Sequence, residues 1–131
     1  MRRARARRLD EPLELGVGSF TETESFARPG LQHGVLRKLR RGHYPVEAEI
    51  DLHGLTIRQA RLELQAFLSG ALRHKLRCVR IIHGKGLRSE HGAVLKPIVM
   101  GLLQQVTAVM AFAPAPRAAG GTGALHVLLA P

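Results

Sequence analysis

Residues 47–59, which read EAEIDLHGLTIRQ, decide the fold of this chain. The first six of these residues alternate between polar and apolar side chains, which is the period of a β-strand with one buried face. Gly54 interrupts this alternation. Thr56 and Gln59 then form a capping box, in which each side chain bonds the backbone N–H of the other residue where a helix begins. The stretch predicts a strand, a turn and a helix.

Strand and helix patterns continue to the end of the chain. An apolar stripe at helical spacing follows the capping box, and a second helix is expected from about Val94 to Val106. Three short apolar runs have the length of strands: 78–82, 109–113 and 124–130. The order β-α-β-α-β-β predicts a two-layer α/β sandwich with a mixed four-stranded sheet. Right-handed crossovers place both helices on one face.

Composition divides the 131 residues into three segments. Residues 1–30 mix charge runs with Gly, Ser and Thr and show no sustained apolar period, so we expect a flexible basic N-terminal arm. Residues 31–45 place apolar side chains on one helical face and Arg and Lys on the other, which predicts a short basic helix and a linker. The folded domain is then expected to comprise residues 46–131, a size typical of one domain.

The formal charge of +10 indicates a polyanionic partner, and nucleic acid is the commonest one for a small basic protein. No apolar stretch is long and continuous enough to span a bilayer, so we expect no membrane partner. Cys78 is the only cysteine, which rules out an intramolecular disulfide or a zinc site built from several cysteines. These features are typical of a cytoplasmic protein, and we expect that location.

A cluster of catalytic side chains is predicted where the first two strands end. In open α/β sheets the functional crevice lies at the carboxyl ends of parallel strands. Asp51 and His53 close the first predicted strand about 6–7 Å apart on one face, and His83 closes the second. A histidine that titrates near neutrality and is oriented by a carboxylate suits acid–base catalysis. We therefore expect Asp51, His53 and His83 to be catalytic.

A glycine-rich loop, HGKG at residues 83–86, follows the second predicted strand. Its glycines allow backbone N–H groups to turn toward an anion, and Lys85 adds positive charge shortly before a helix begins. The spacing matches neither a Walker loop nor a dinucleotide-binding fingerprint. We expect nucleic-acid phosphate to be bound by residues of this loop and its neighbourhood: Gly84, Lys85, Gly86 and Arg88.

Three motifs, in order along the chain, resemble those of the Smr (small MutS-related) domain family: IDLHGLTIRQA at 50–60, IIHGKG at 81–86 and GGTGALHVLL at 120–129. The segment GLQHGVLRKLRRGHYP at 30–45 resembles the lead-in of stand-alone bacterial Smr proteins of the YdaL type. The resemblance implies a βαβαββ sandwich, in agreement with the strand and helix pattern.

The resemblance also implies functional residues. It places the family's Asp-x-His pair on Asp51 and His53 and its HGxG loop on residues 83–86. A closing glycine loop near the site is implied at Gly121 and Gly123. The chain departs from the family in its second helix, where relatives usually carry Trp and this sequence has Leu102.

Members of the Smr family are described as DNA-nicking endonucleases and as RNA endonucleases, including ones that cut mRNA on stalled ribosomes. The folded half of this chain offers few carboxylates for Mg²⁺, so its residues favour cofactor-free cleavage of RNA. In that scheme His53 deprotonates the 2′-OH and Asp51 fixes the tautomer of His53. Lys85 and loop N–H groups stabilise the phosphorane, and His83 protonates the leaving oxygen.

Two alternatives to this scheme stay open on the sequence alone. One is a metal-assisted endonuclease that nicks DNA and uses Mg²⁺ or Mn²⁺. The other is a module that binds nucleic acid or a ribosome without cleaving it. RNA or DNA is the expected partner under all three readings, and the ribosome is a further candidate.

Overall fold

The computed structural model describes residues 25–85 and 92–131, with side chains in the second segment described from Leu95 onward. Its strands and helices follow the order β1 (Phe26–Ala27), α1 (His33–Arg40), β2 (Ala48–Asp51), α2 (Ile57–Arg73), β3 (Cys78–Ile82), α3 (Gly92–Gln104), β4 (Val109–Pro114) and β5 (Ala124–Leu129). Two short 3₁₀ turns, Arg117–Ala119 and Gly121–Gly123, connect β4 to β5. None of the helices in the described segments is both long and apolar enough to cross a membrane.

The strands form one mixed sheet in the order β1-β4-β5-β3-β2. β2 and β3 are parallel, with Asp51 opposite Ile82, and the other neighbouring strands are antiparallel. The carboxyl ends of β2 and β3 therefore lie side by side at one edge of the sheet. The mixed sheet with α2 and α3 packed on one face confirms the predicted α/β sandwich.

The larger core lies between the sheet and the two helices α2 and α3. Leu64 and Leu68 of α2 and Leu102 of α3 are buried there. Complete burial of one such side chain contributes roughly 1.5–3 kcal/mol. Leu102 thus fills core volume at the position where the family resemblance places Trp. The predicted capping box at the start of α2 is present, with both reciprocal hydrogen bonds formed.

A third helix covers the opposite face of the sheet. α1 inserts Leu39 into a smaller apolar cluster that includes Cys78, Ala111 and Leu128. The sequence predicts a short basic helix within residues 31–45. The structure places this helix at His33–Arg40, against the face of the sheet opposite α2 and α3. Because α1 packs here, part of the second face of the sheet is buried, which the two-layer prediction does not include.

The predicted boundary of the flexible arm at residue 30 is wrong. Phe26 and Ala27 form β1, an edge strand paired antiparallel with Phe112 and Ala111, so the sheet has five strands where the sequence predicts four. The ring of Phe26 stacks on that of Phe112 at a centroid distance of 5.3 Å. A two-residue strand is too short to produce a visible alternation in the sequence. The remainder of the predicted arm, residues 1–24, lies outside the described residues.

Arg28 fastens the N-terminal segment to the end of α3. Its guanidinium donates to the carbonyl oxygens of Gln104, Val106 and Val109 at distances of 3.0, 2.7 and 3.0 Å. The last carbonyls of a helix have no partner within the helix, and positive charge is favourable at that end. Arg28 therefore provides a partner for the carbonyl of Gln104 at the end of α3 and a second donor for that of Val106, which also accepts from the N–H of Val109.

We expect Arg28→Ala to lower the free energy of unfolding by about 2–3 kcal/mol, because it removes a charged donor from three carbonyls. Urea denaturation checks this value. Arg28→Lys should recover only part of the loss, since an ammonium group lacks the planar fork of donors. The control is Arg37→Ala, an exposed cation on α1, which should change stability by less than about 0.5 kcal/mol. An Arg28→Ala protein as stable as this control would show that the three contacts contribute nothing.

Candidate functional site

Asp51 and His53 form a pair directly after β2. The backbone N–H of His53 donates to Oδ1 of Asp51 at 3.0 Å, and ring nitrogen Nδ1 of His53 lies 2.6 Å from the same oxygen. The side chains are closer than the 6–7 Å predicted for an extended strand, because the chain turns after Asp51 and Gly54 completes the turn with φ 79°. The side chain of His53 is 69% exposed and that of Asp51 is 47% exposed, so both are open to a ligand.

The contact with His53 changes the acidity of Asp51. Desolvation raises the pKa of the Asp51 carboxyl, but hydrogen bonds from the ring and backbone of His53 lower it, and the net pKa is below its usual value. The carboxylate therefore stays ionised at neutral pH, and its stabilising contact is lost only as the pH falls into the acid range. An ionised Asp51 accepts a proton donated by Nδ1, which leaves Nε2 of His53 with a lone pair.

His83 has a different environment from His53. It follows the last residue of β3 and is 1% exposed, and its Nδ1 lies 2.7 Å from the carbonyl oxygen of Gly84. The backbone N–H groups of His83 and Gly84 both donate to the carbonyl oxygen of Gly123 at 3.0 Å. The sequence predicts that N–H groups of this loop turn toward an anion. These two N–H groups instead bind the loop before β5.

Gly84 brings the two halves of the site into contact. Its φ is 85°, in the left-handed region that favours glycine, and a methyl group built on it would lie 3.1 Å from Cβ of His53. The backbone of the loop after β3 thus approaches His53 more closely than any other residue type at position 84 permits without movement. The position of the His53 side chain depends on this approach.

The loop before β5 completes the edge. A methyl group on Gly123 would lie 3.1 Å from Cγ of Lys85, and Gly121 adopts φ 55° two residues earlier. The side chain of Lys85 is exposed beside this loop. The structure therefore brings Asp51, His53, residues 83–85 and the glycine loop to one edge of the sheet. Gly86 and Arg88 lie outside the described residues.

A row of polar side chains that the sequence did not predict crosses the sheet next to this edge, from the exposed Glu49 to the buried His126. Arg80 on β3 donates to Glu49 at 2.8 Å and to Nε2 of His126 at 3.2 Å. His126 is 2% exposed, and burial together with the charge of Arg80 lowers its pKa, so its ring is neutral. The available signal was the alternation of β2, which puts Glu49 and Asp51 on the same face. Arg80 thereby links the three strands one step from Asp51.

The described residues contain no group of three or more His, Cys, Asp or Glu side chains arranged to hold a metal ion. The described part of this edge includes one exposed carboxylate, one exposed imidazole and one exposed ammonium group: Asp51, His53 and Lys85. Chemically, this set can move a proton and neutralise part of the charge of an anion.

Comparisons with known proteins match this part of the chain. The family model of the Smr domain matches residues 50–130, which include every described residue of the site. The ribosome rescue factor SmrB of Yersinia enterocolitica is 42% identical over 104 residues, which are 79% of this chain and 56% of that protein. SmrB of Pectobacterium carotovorum is 44% identical over 105 residues, with shares of 80% and 56%. The chain spans about half the length of these curated relatives.

Two solved structures are similar to this fold. YdaL, a stand-alone small MutS-related protein from Escherichia coli, is 37% identical with a TM-score of 0.75 over 89% of this chain and 90% of that chain. The Smr domain of Thermus thermophilus MutS2 is 35% identical, with a TM-score of 0.58, and the match covers 65% of this chain and 100% of that chain.

The close approach at Gly84 can be tested with a matched pair of glycine variants. Gly84→Ala should strain the left-handed backbone by about 1–2 kcal/mol and push on His53, so that its ring loses the contact with Asp51. Nitrogen-15 shifts of the His53 ring, recorded by NMR, report that loss. Gly30→Ala is the control, because Gly30 has φ 93° and open space around it. Unchanged His53 ring shifts in Gly84→Ala would contradict this account of the site.

Proposed function

This chain belongs to the Smr domain family, and we propose that it is an endonuclease that cleaves RNA at the edge formed by Asp51, His53 and Lys85. The observation that carries the proposal is the 2.6 Å contact between Nδ1 of His53 and Oδ1 of Asp51. A surface that only bound nucleic acid would gain nothing from an exposed carboxylate, because Asp51 repels phosphate. An imidazole oriented by a carboxylate is instead the arrangement used for proton transfer.

In the proposed reaction Nε2 of His53 takes the proton from a ribose 2′-OH. The 2′ oxygen then bonds to the adjacent phosphorus, and the bond from phosphorus to the 5′ oxygen breaks. A 2′,3′-cyclic phosphate and a 5′-OH result. Asp51 keeps the proton of His53 on Nδ1, so that Nε2 is the base. DNA lacks the 2′-OH, so this arrangement favours RNA as the substrate.

The structure changes the role that we assign to His83. Protonation of the leaving oxygen requires an imidazole that the substrate can reach, and His83 is only 1% exposed. We therefore assign His83 as a positioning residue for the loop, and water or protonated His53 supplies the proton to the 5′ oxygen. His83 acts through Gly84, whose backbone contacts His53.

Lys85 provides the positive charge at the proposed reaction site. Its side chain is exposed beside the glycine loop, where its ammonium group can neutralise part of the negative charge that develops on the phosphorane. The backbone N–H groups of His83 and Gly84 are bonded to Gly123, so the proposal assigns the stabilising charge to Lys85 and not to these two N–H groups.

The names of the relatives support RNA that is engaged by a ribosome as the natural substrate. SmrB of Yersinia enterocolitica and SmrB of Pectobacterium carotovorum are both named ribosome rescue factors. Those proteins are longer than this chain, so the ribosome enters the proposal as the setting of the substrate and has no part in the chemistry.

Incubation of single-stranded and structured RNA with the protein in excess EDTA tests the proposal. We expect cleavage to continue and to leave cyclic phosphate and 5′-OH ends. His53→Ala and Asp51→Asn should each lower the single-turnover rate by about 10²–10⁴-fold, the usual contribution of acid–base catalysis. RNA affinity should stay within a few fold of wild type. His74→Ala is the control, because it removes another exposed histidine at the end of α2 distant from the site.

Two other outcomes would contradict the proposal, and each supports a different function. Cleavage that requires Mg²⁺ or Mn²⁺ and leaves 5′-phosphates, with DNA nicked as well, would support a metal-assisted endonuclease. Tight RNA binding without cleavage, unaffected by either substitution, would support a binding module.

A further inference from the structure

Positive charge is concentrated at the end of α1, outside the site described above. Arg37, Lys38 and Arg41 are exposed, and the chain from residue 25 to residue 46 contains no Asp or Glu. Because α1 turns Leu39 toward the sheet, these three cations lie on its outer and flanking sides. Nothing in the proposed chemistry at Asp51 and His53 uses them.

The end of α1 is connected to the edge formed by Asp51, His53 and Lys85 through the loop between β4 and β5. Gly42 approaches Pro116 so closely that a methyl group built on it would lie 2.9 Å from Cγ of Pro116. The carbonyl oxygen of Pro116 in turn accepts hydrogen bonds from Ala119 and Gly121 at 2.8 and 3.0 Å. Two residues farther on, Gly123 packs against Lys85.

We propose that Arg37, Lys38, Arg41 and Arg117 form a second phosphate-binding surface, which we call the α1 surface, for RNA that extends beyond the scissile bond. The exposed Arg117 follows Pro116, the residue that Gly42 approaches at the end of α1. The inference rests on the proposed function in one respect: RNA occupies the edge at Asp51 and His53. Proteins that bind single strands track the backbone with such a line of cations over about 4–16 nucleotides.

A purely structural role would explain only part of this charge. Cations in the last turn of a helix interact favourably with its dipole, which accounts for Arg37 and Lys38. Arg41 is the C-cap residue of α1 and gains from the same dipole, whereas Arg117 belongs to a different element. Arg40 is not part of the α1 surface, because its guanidinium donates to the hydroxyl of Ser25 at 3.2 Å.

Binding measurements with RNAs of two lengths distinguish the α1 surface from the site at Asp51 and His53. In a His53→Ala background, which prevents cleavage, fluorescence anisotropy gives the affinity for a 4-nucleotide and a 12-nucleotide single-stranded RNA at several salt concentrations. Adding Arg37→Gln and Arg41→Gln together should weaken binding of the longer RNA about tenfold. The slope of log affinity against log salt should fall by about 1.4, or about 0.7 for each lost phosphate contact. Binding of the shorter RNA should not change.

The control pair is Arg73→Gln with Lys75→Gln, which removes two exposed cations near the start of β3. These residues lie at the opposite end of β3 from Gly84 and Lys85. The control pair should leave both affinities unchanged. Arg37→Lys with Arg41→Lys should retain the slope, and thermal melting of the Gln pair should match wild type to within a few degrees. A loss of stability in place of a loss of affinity would mean that the cations only support the helix.

Three binding results would also overturn the inference: an unchanged salt slope for the longer RNA, an equal loss of affinity for both RNA lengths, or a loss of binding to vesicles of anionic lipid with no loss of RNA binding. The same measurements distinguish this inference from the proposed function. If the wild-type protein does not cleave RNA in EDTA but the Gln pair shows the length-dependent loss of affinity, the α1 surface is supported and the proposed chemistry is wrong. A protein that cleaves as proposed without that loss would retain only the chemistry.

Discussion

The parallel pairing of β2 with β3 is the constraint on which the site depends. It places Asp51 opposite Ile82, and the N–H of Leu52 continues the pairing with a bond to Ile82 at 2.7 Å. His53 and Gly84, which follow the two strands, therefore meet at one edge. A slip of one residue would turn Asp51 to the opposite face and Ile50 out of the core, so the packing that stabilises the sheet also fixes the site.

Three histidines on the same sheet have different chemical possibilities because their surroundings differ. His53 is exposed and paired with a carboxylate, so it can exchange a proton with a ligand. His83 is buried against its own loop. His126 is buried beside Arg80, and its burial, together with the charge of Arg80, lowers its pKa and keeps its ring neutral. Exposure and partner, more than residue type, therefore single out His53 as the proposed base. Its carboxylate partner is the only ionised acceptor that contacts it among the described residues.

The sequence predicts most of the strands and helices from its one-sided apolar patterns and its short apolar runs, and a capping box marks the start of α2. Features that depend on distant contacts could not be predicted in this way. β1 has two residues, and Arg28 reaches carbonyls 76–81 positions away. The site shows the same division. The pairing of Asp51 with His53 joins residues two positions apart and could be predicted from the sequence. The hydrogen bonds from the N–H groups of His83 and Gly84 to Gly123 form only in the folded sheet.

The proposal treats Asp51 and His53 as one unit, in which the carboxylate has no function except through the imidazole. A double-mutant cycle on the single-turnover rate of RNA cleavage measures that dependence most directly. The account predicts that the protein with both Asp51→Asn and His53→Ala cleaves as slowly as the His53→Ala protein alone, because Asp51 has no ring left to orient. Losses that multiply in the double variant would show that the two residues act independently, and would contradict the account.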